Sequence, residues 1–195
     1  MRILLGITGA SGSVYARRLL GFLAERGIET HCALSSAARV TWRWELGGEP
    51  EEALTGSPCV RLYGEDDLMS PMASGSFRHD GMAIVPCSMR TLGALAGGIA
   101  QNLVQRAAEV CLKERRKLVL VVRESPYSLT HLENMVRVTQ AGAVVLPASP
   151  GFYHRPRTMD DLVDFIVSRA LDHLGIGNEL IRRWDKAQQE APPSE

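Results

Sequence analysis

The chain has no excess of charge of either sign: 22 Lys and Arg balance 22 Asp and Glu over 195 residues. A protein drawn bodily to nucleic acid or to an anionic membrane surface carries such an excess, so neither partner is expected and any anion site must be local. Cysteine is scarce. Cys32, Cys59, Cys87 and Cys111 are spread too widely for a CxxC pair or a Cys/His metal spacing, which fits reduced thiols. Histidines 31, 79, 131, 154 and 173 show no ligand spacing either, so no metal is expected. No apolar stretch approaches the roughly 20 residues of a membrane helix, and the amino terminus lacks the apolar core and cleavage site of a secretory signal. The expectation is a soluble, cytoplasmic protein.

The common nucleotide fingerprints are missing as well. The first glycines fall as Gly6-x-x-Gly9-x-x-Gly12 rather than GxGxxG, and the second apolar run ends in Ser35-Ser36-Ala37 with no acid for a ribose hydroxyl. A P-loop would need Lys-Ser/Thr after the glycines, and none follows. Thr8-Gly9-Ala10-Ser11-Gly12 resembles the short-chain dehydrogenases, but their Tyr-x-x-x-Lys pair is absent: Leu19, Asp67, His131 and Arg157 stand four residues after the tyrosines. Nicotinamide chemistry is therefore not expected.

What is present is a rhythm. Hydrophobic residues make up 45% of the chain, enough for one well-buried unit. Strands are expected at 3–7, 28–34, 60–63, 82–85, 117–122 and 143–146. Helices are expected at 12–26, 36–46, 88–97, 102–115, 129–141 and 158–173. Runs such as MAIV, LVLVV and AVVL are apolar throughout, as strands covered by helices on both faces should be. The fold class is α/β: a doubly wound parallel sheet, a Rossmann-like or flavodoxin-like three-layer sandwich. Residues 1–177 read as one α/β domain and 178–195 as a carboxyl-terminal tail whose polar end, AQQEAPPSE, should be disordered or loosely docked. Three aperiodic stretches, 47–58, 64–81 and 147–158, interrupt the pattern. The last two are placed to reach the carboxyl edge of the sheet, where ligands of such folds bind.

GITGASGSVYARRLL, residues 6–20, is strand, tight turn and helix. That junction aims backbone N–H groups and a positive helix end at one spot, whose default occupant is a phosphate; an ordinary βα turn with a serine cap is the plainer alternative. A second cradle follows at AIVPCSMRTLGALAGG, 83–98, where Ser88 and Thr91 stand at a helix mouth. Two such strand ends on one edge suit a mononucleotide with a large planar ring, and FMN is the natural candidate. Cys87, lacking an evident histidine partner, reads as a buried structural thiol. Asp160-Asp161-Leu162-Val163-Asp164 matches the DDxxD magnesium-diphosphate signature, but Thr158-x-x-Asp161 reads as a helix cap.

Taken together, the blocks TGASG (8–12), PMASGS (71–76), PCSMRTL (86–92), NLVQRAAEVCLKERRKLVLVVRESP (102–126), HLENM (131–135), GAVVLPASPGFYHRP (142–156) and DLVDFIVSR (161–169) closely resemble the flavin prenyltransferase family, the UbiX-like flavoproteins. The resemblance implies a metal-independent, homo-oligomeric enzyme, a dodecamer, that binds FMN between subunits. It implies transfer of a dimethylallyl group from dimethylallyl phosphate to N5 and C6 of reduced FMN. The prenylated FMN is passed to a UbiD-like decarboxylase.

By the same resemblance FMN is held by Gly9, Ala10, Ser11, Ser35, Ser88, Met89, Arg90, Thr91 and Arg123. The prenyl phosphate is gripped by Lys113, Arg123, Tyr153 and Arg169, and protons are handled by Ser11, Glu45 and Glu124. Each has a plainer account. KERRK (113–117) is a common solvated helix end, Tyr153 could belong to a stiff loop plugging the core edge, and Trp184 could either close over the site or anchor a neighbouring subunit. Two other functions fit the nucleotide half: an FMN-dependent cysteine-type decarboxylase and a non-enzymatic flavin carrier. The former family carries an active-site histidine and a PASANT loop where this chain has Glu45 and PMASGS.

Overall fold

The structure is a computed structural model that describes residues 1–54 and 56–184, so the AQQEAPPSE end at 187–195 lies outside the described residues. Six strands form one parallel sheet: β1 (Arg2–Ile7), β2 (Glu29–Leu34), β3 (Val60–Tyr63), β4 (Gly81–Cys87), β5 (Leu118–Val122) and β6 (Val144–Pro147). Their order across the sheet is β3-β2-β1-β4-β5-β6, so the winding reverses between β1 and β4. In doubly wound sheets the crevice at such a reversal is the ligand site.

Helices cover both faces: α1 (Ser13–Glu25), α2 (Ser36–Leu46), α3 (Pro50–Leu54), α4 (Met89–Ala96), α5 (Leu103–Lys113), α6 (Leu129–Gln140) and α7 (Met159–Leu174). Strand alternation divides the core in two. Ile3, Leu5 and Ile7 of β1 pack with Leu19, Leu23, Trp42 and Leu171, whereas Leu4 packs with Met82, Ile84, Val104 and Leu120 on the opposite face. This is why the strands read as unbroken apolar runs. At Gly6 an added Cβ would meet Val104 Cγ1 at 2.7 Å, so the glycine lets α5 lie directly on β1.

All twelve expected strands and helices are present, with ends displaced by at most two residues. Two short elements occupy stretches that show no period: α3, with Pro50 at its start and Glu51 and Glu52 in its first turn, and a 3-10 turn over Pro71–Ala73 capped by the Ser70 side chain. Neither is long enough to carry a helical repeat. Two of the three DDxxD acids are committed to the fold. Asp161 accepts from the N–H groups of Arg157 and Thr158 at 2.7 and 2.9 Å, and Asp164 pairs with Arg18 at 2.6 Å.

The Asp161 N–H in turn donates to the Thr158 hydroxyl at 3.2 Å, completing a reciprocal cap on α7. Thr158→Ala should cost about 1 kcal/mol, read as a lower urea midpoint at unchanged slope. An unchanged midpoint would show that the cap adds nothing to the folded state.

Candidate active site

The site is built where β1 and β4 end side by side. Thr8, the first residue past β1, donates its hydroxyl hydrogen to the Pro86 carbonyl at 2.7 Å and accepts from the Ser88 N–H at 2.8 Å. One buried side chain thus fastens the two strand-end loops across the reversal. Sequence reasoning placed Thr8 in a motif without giving it this task, because nothing local marks a partner 80 residues away.

Around this tie three helices begin. Ser35 caps α2, its side chain accepting from the Ala38 N–H at 3.1 Å. Ser88 caps α4, accepting from the Thr91 N–H at 3.3 Å, and Asn102 caps α5, accepting from the Gln105 N–H at 3.0 Å. All three open onto one cleft of about 360 Å³ lined by Thr8, Gly9, Ser35, Ser88, Arg90 and Thr91, with Gln101, Asn102 and Gln105 on the α5 side. Converging positive helix ends, hydroxyls and one guanidinium favour an anion here, opposed by the carboxylates of Glu65 and Asp66 on the same wall. Gly9 is needed there, since an added Cβ would lie 2.5 Å from the Ala37 Cβ. Met89 is 9% exposed and belongs to the core, so it offers the cleft its backbone alone.

The β1–α1 junction is different, and corrects the expectation of a phosphate or a serine cap there. Gly12 stands at the helix start with φ of 118° and no side-chain cap. Glu45, near the end of α2, fills the position. Its carboxylate accepts from the Gly12 N–H at 3.0 Å and the Ser13 N–H at 2.7 Å. Partial burial pushes the Glu45 carboxyl up, but hydrogen bonds from the Ser11 hydroxyl and from Gly12 and Ser13 outweigh it, so it titrates below the ordinary 4.5. The anion at α1 is therefore the protein's own, and the free donors lie on the Ser35 and Ser88 side.

Arg123, just past β5, donates from Nε to the Ser11 carbonyl at 3.1 Å and so joins a third strand end to the TGASG loop. Glu124 beside it accepts from the Ser125 N–H at 3.0 Å. Tyr15, half-buried nearby, has its hydroxyl pKa raised by burial, with Arg123 partly opposing the shift. Cys87 is fully buried and its thiol is pushed up to about 12, which leaves no nucleophilic thiolate there.

The remaining residues lie apart within one chain. Tyr153 packs edge-on against Phe165 of α7 and against Trp184, with ring centroids 5.8 and 5.4 Å away. Arg169, one turn beyond Phe165, pairs with Asp172 at 2.9 Å, and Asp172 also holds Arg183 at 2.7 Å. These groups form a flank on α7, with Arg169 about 15 Å along the helix from its start at the carboxyl edge. Lys113 ends α5, likewise about 15 Å from the cleft, and pairs with Glu114 at the opposite edge of the sheet. Arg106 of α5 pairs with Glu109 at 2.8 Å and donates from Nε to the Ala73 carbonyl at 3.2 Å. Among the described residues no group of three or more His, Cys, Asp or Glu is placed to hold a metal ion, and no helix is long and apolar enough to cross a membrane.

The sequence pattern of the family described as Flavoprotein matches residues 1–171. The flavin prenyltransferase UbiX of Pseudomonas aeruginosa is 47% identical over 195 residues, spanning 94% of this chain and 93% of that protein. The crystal structure of AnUbiX (PadA1) in complex with FMN and dimethylallyl pyrophosphate is similar with a TM-score of 0.90 at 41% identity, over 94% of this chain and 97% of that one. A dodecameric FMN-dependent UbiX-like decarboxylase from Escherichia coli O157:H7 is similar to the same degree, TM-score 0.90 at 41% identity, over 95% and 100% of the two chains.

Since the Glu45 pKa is lowered by folding, its contribution to stability is present above the unfolded value and lost as pH falls through the folded one. As pH falls below about 4.5 the wild type should lose more stability than Glu45→Gln in parallel denaturant titrations. Identical pH profiles would show that the carboxylate does not cap α1.

Proposed function

The chain belongs to the flavoprotein family and to its UbiX-like flavin prenyltransferases, and from that premise we propose that it transfers a dimethylallyl group from dimethylallyl phosphate to N5 and C6 of reduced FMN. The observation that carries this reading is the anion cleft at the strand reversal, in a chain 41% identical over nearly its whole length to a structure described with FMN and dimethylallyl pyrophosphate. The residues fit the flavin. Ser35, Ser88 and Thr91 with the N–H groups around them suit a terminal phosphate, and Gly9 keeps the loop free of a side chain where the cleft is narrow.

When bound, reduced FMN supplies the nucleophilic atoms that receive the dimethylallyl carbon. The chain's own residues do the rest. Tyr153 and Arg169 donate to the departing phosphate, whose charge grows as its bond to carbon breaks, so cationic hydrogen bonding replaces a metal. Arg123 holds the Ser11 loop in place and presents its remaining N–H groups to the ligands. Glu45 orients the Ser11 hydroxyl that donates to it, and Ser11, Glu45 and Glu124 are the groups assigned to handle the proton that ring alkylation releases.

The separation of the cleft, the Tyr153–Arg169 flank and Lys113 within one chain supports a site assembled between subunits. A dodecamer, as described for the Escherichia coli protein, is the assembly we propose. The product then passes to a UbiD-like decarboxylase in the cytoplasm.

The test is anaerobic incubation with reduced FMN and dimethylallyl phosphate, followed by mass analysis of the extracted flavin. Gain of one C5H8 unit is expected. Unchanged FMN would favour a carrier, and carbon dioxide released from a cysteine-terminated peptide would favour the cysteine-type decarboxylase. Tyr153→Phe and Arg169→Ala should each lower prenyl transfer by about 100-fold while FMN still binds. Full activity in both would remove the phosphate grip.

A further inference from the structure

The cleft that suits a phosphate already contains a negative charge. Glu65, two residues past β3, accepts through Oε1 from the N–H of Ser36, the first residue of α2, at 2.8 Å. Its backbone carbonyl accepts from the Leu103 N–H at 2.7 Å, which ties this segment to the start of α5 and fixes where the side chain can reach. Among the described residues Glu65 pairs with no cation. Arg90 and Asp66 are the other charged groups lining the cleft.

The Ser36 N–H is an exposed donor of the α2 terminus, beside Ala37 on the cleft wall, while the Ser35 hydroxyl serves the Ala38 N–H. A phosphate dianion arriving among these groups meets a carboxylate seated on a donor it needs. Two anions cannot share one hydrogen-bond donor at contact distance without mutual repulsion, so one must leave.

We propose that Glu65 is a built-in competitor for the flavin phosphate: it yields the Ser36 N–H when FMN binds and reclaims it as the flavin departs. The inference rests on the reading of this cleft as the flavin site and deepens it. An enzyme whose product is a cofactor for another protein has to release it. An internal anion that weakens the phosphate end alone shortens the residence of FMN and prenylated FMN, without touching the isoalloxazine, where the chemistry occurs.

The experiment compares FMN with riboflavin, which has the same ring and no phosphate, by quenching of flavin fluorescence on the full-length protein. Glu65→Gln retains an oxygen to accept from the Ser36 N–H and removes only the charge. It should bind FMN about tenfold more tightly, riboflavin within about twofold of wild type, and release prenylated flavin more slowly after a single turnover. Glu65→Ala should tighten FMN in the same direction. Asp66→Asn is the control, removing a charge from the same cleft that seats on no backbone donor, and should shift FMN binding less.

Unchanged or weaker FMN binding by both Glu65 variants overturns the proposal, as does equal tightening of riboflavin or equal tightening by Asp66→Asn. Wild type that binds neither flavin overturns the reading of the cleft itself, and the competitor with it.

Discussion

The hydroxyl of Thr8 holds together two strand ends that the chain reaches 80 residues apart, and the rest of the site follows from that bond. Because β1 and β4 are neighbours while the winding departs from them in opposite directions, their exit loops cannot cover one another and a crevice is left between them. The starts of α2, α4 and α5 open into it together. The field in the cleft comes from backbone dipoles and Arg90 set against the carboxylates of Glu65 and Asp66, so in a chain of zero net charge the preference for an anion rests on the helix starts.

Such a field has to be balanced when no ligand is present, and the chain uses carboxylates to do so. Glu45 satisfies α1 and Glu65 satisfies α2. The two differ in setting. Glu45 accepts from two consecutive N–H groups and from the Ser11 hydroxyl, so it is a fixed part of the loop, lowered in pKa by the bonds it receives. Glu65 holds a single N–H on the wall of the cleft, a contact that another anion can replace.

The flank formed by Tyr153, Phe165, Arg169 and Trp184 is the other consequence of the fold. The loop after β6 returns along α7, and the segment from Asn178 to Trp184 is drawn against the same helix by Asn178, bonded to Ser168 at 2.7 Å, and by Arg183 on Asp172. Tyr153 and Trp184 remain 46% and 61% exposed, and Leu129, Leu132 and Val136 leave an apolar stripe on α6 open to solvent. Side chains of this size held in place yet uncovered fit an enzyme that completes its site with neighbouring copies.

The sequence by itself determined the fold class, the order of strands and helices along the chain, the burial of Cys87 and the serine-capped helix mouth at 88, because apolar periodicity and capping residues act within a few positions of one another. Resemblance in several ordered blocks added the chemistry. Only the tertiary structure decided that Glu45 and not a phosphate sits at α1, that Thr8 is a tie, that Glu65 occupies the α2 donor, and that Lys113 and the Tyr153–Arg169 flank stand away from the cleft in a single chain. Each of those is a contact, or a lack of one, between residues tens of positions apart. Such pairings depend on which strands lie side by side, and no local pattern of residue types encodes them.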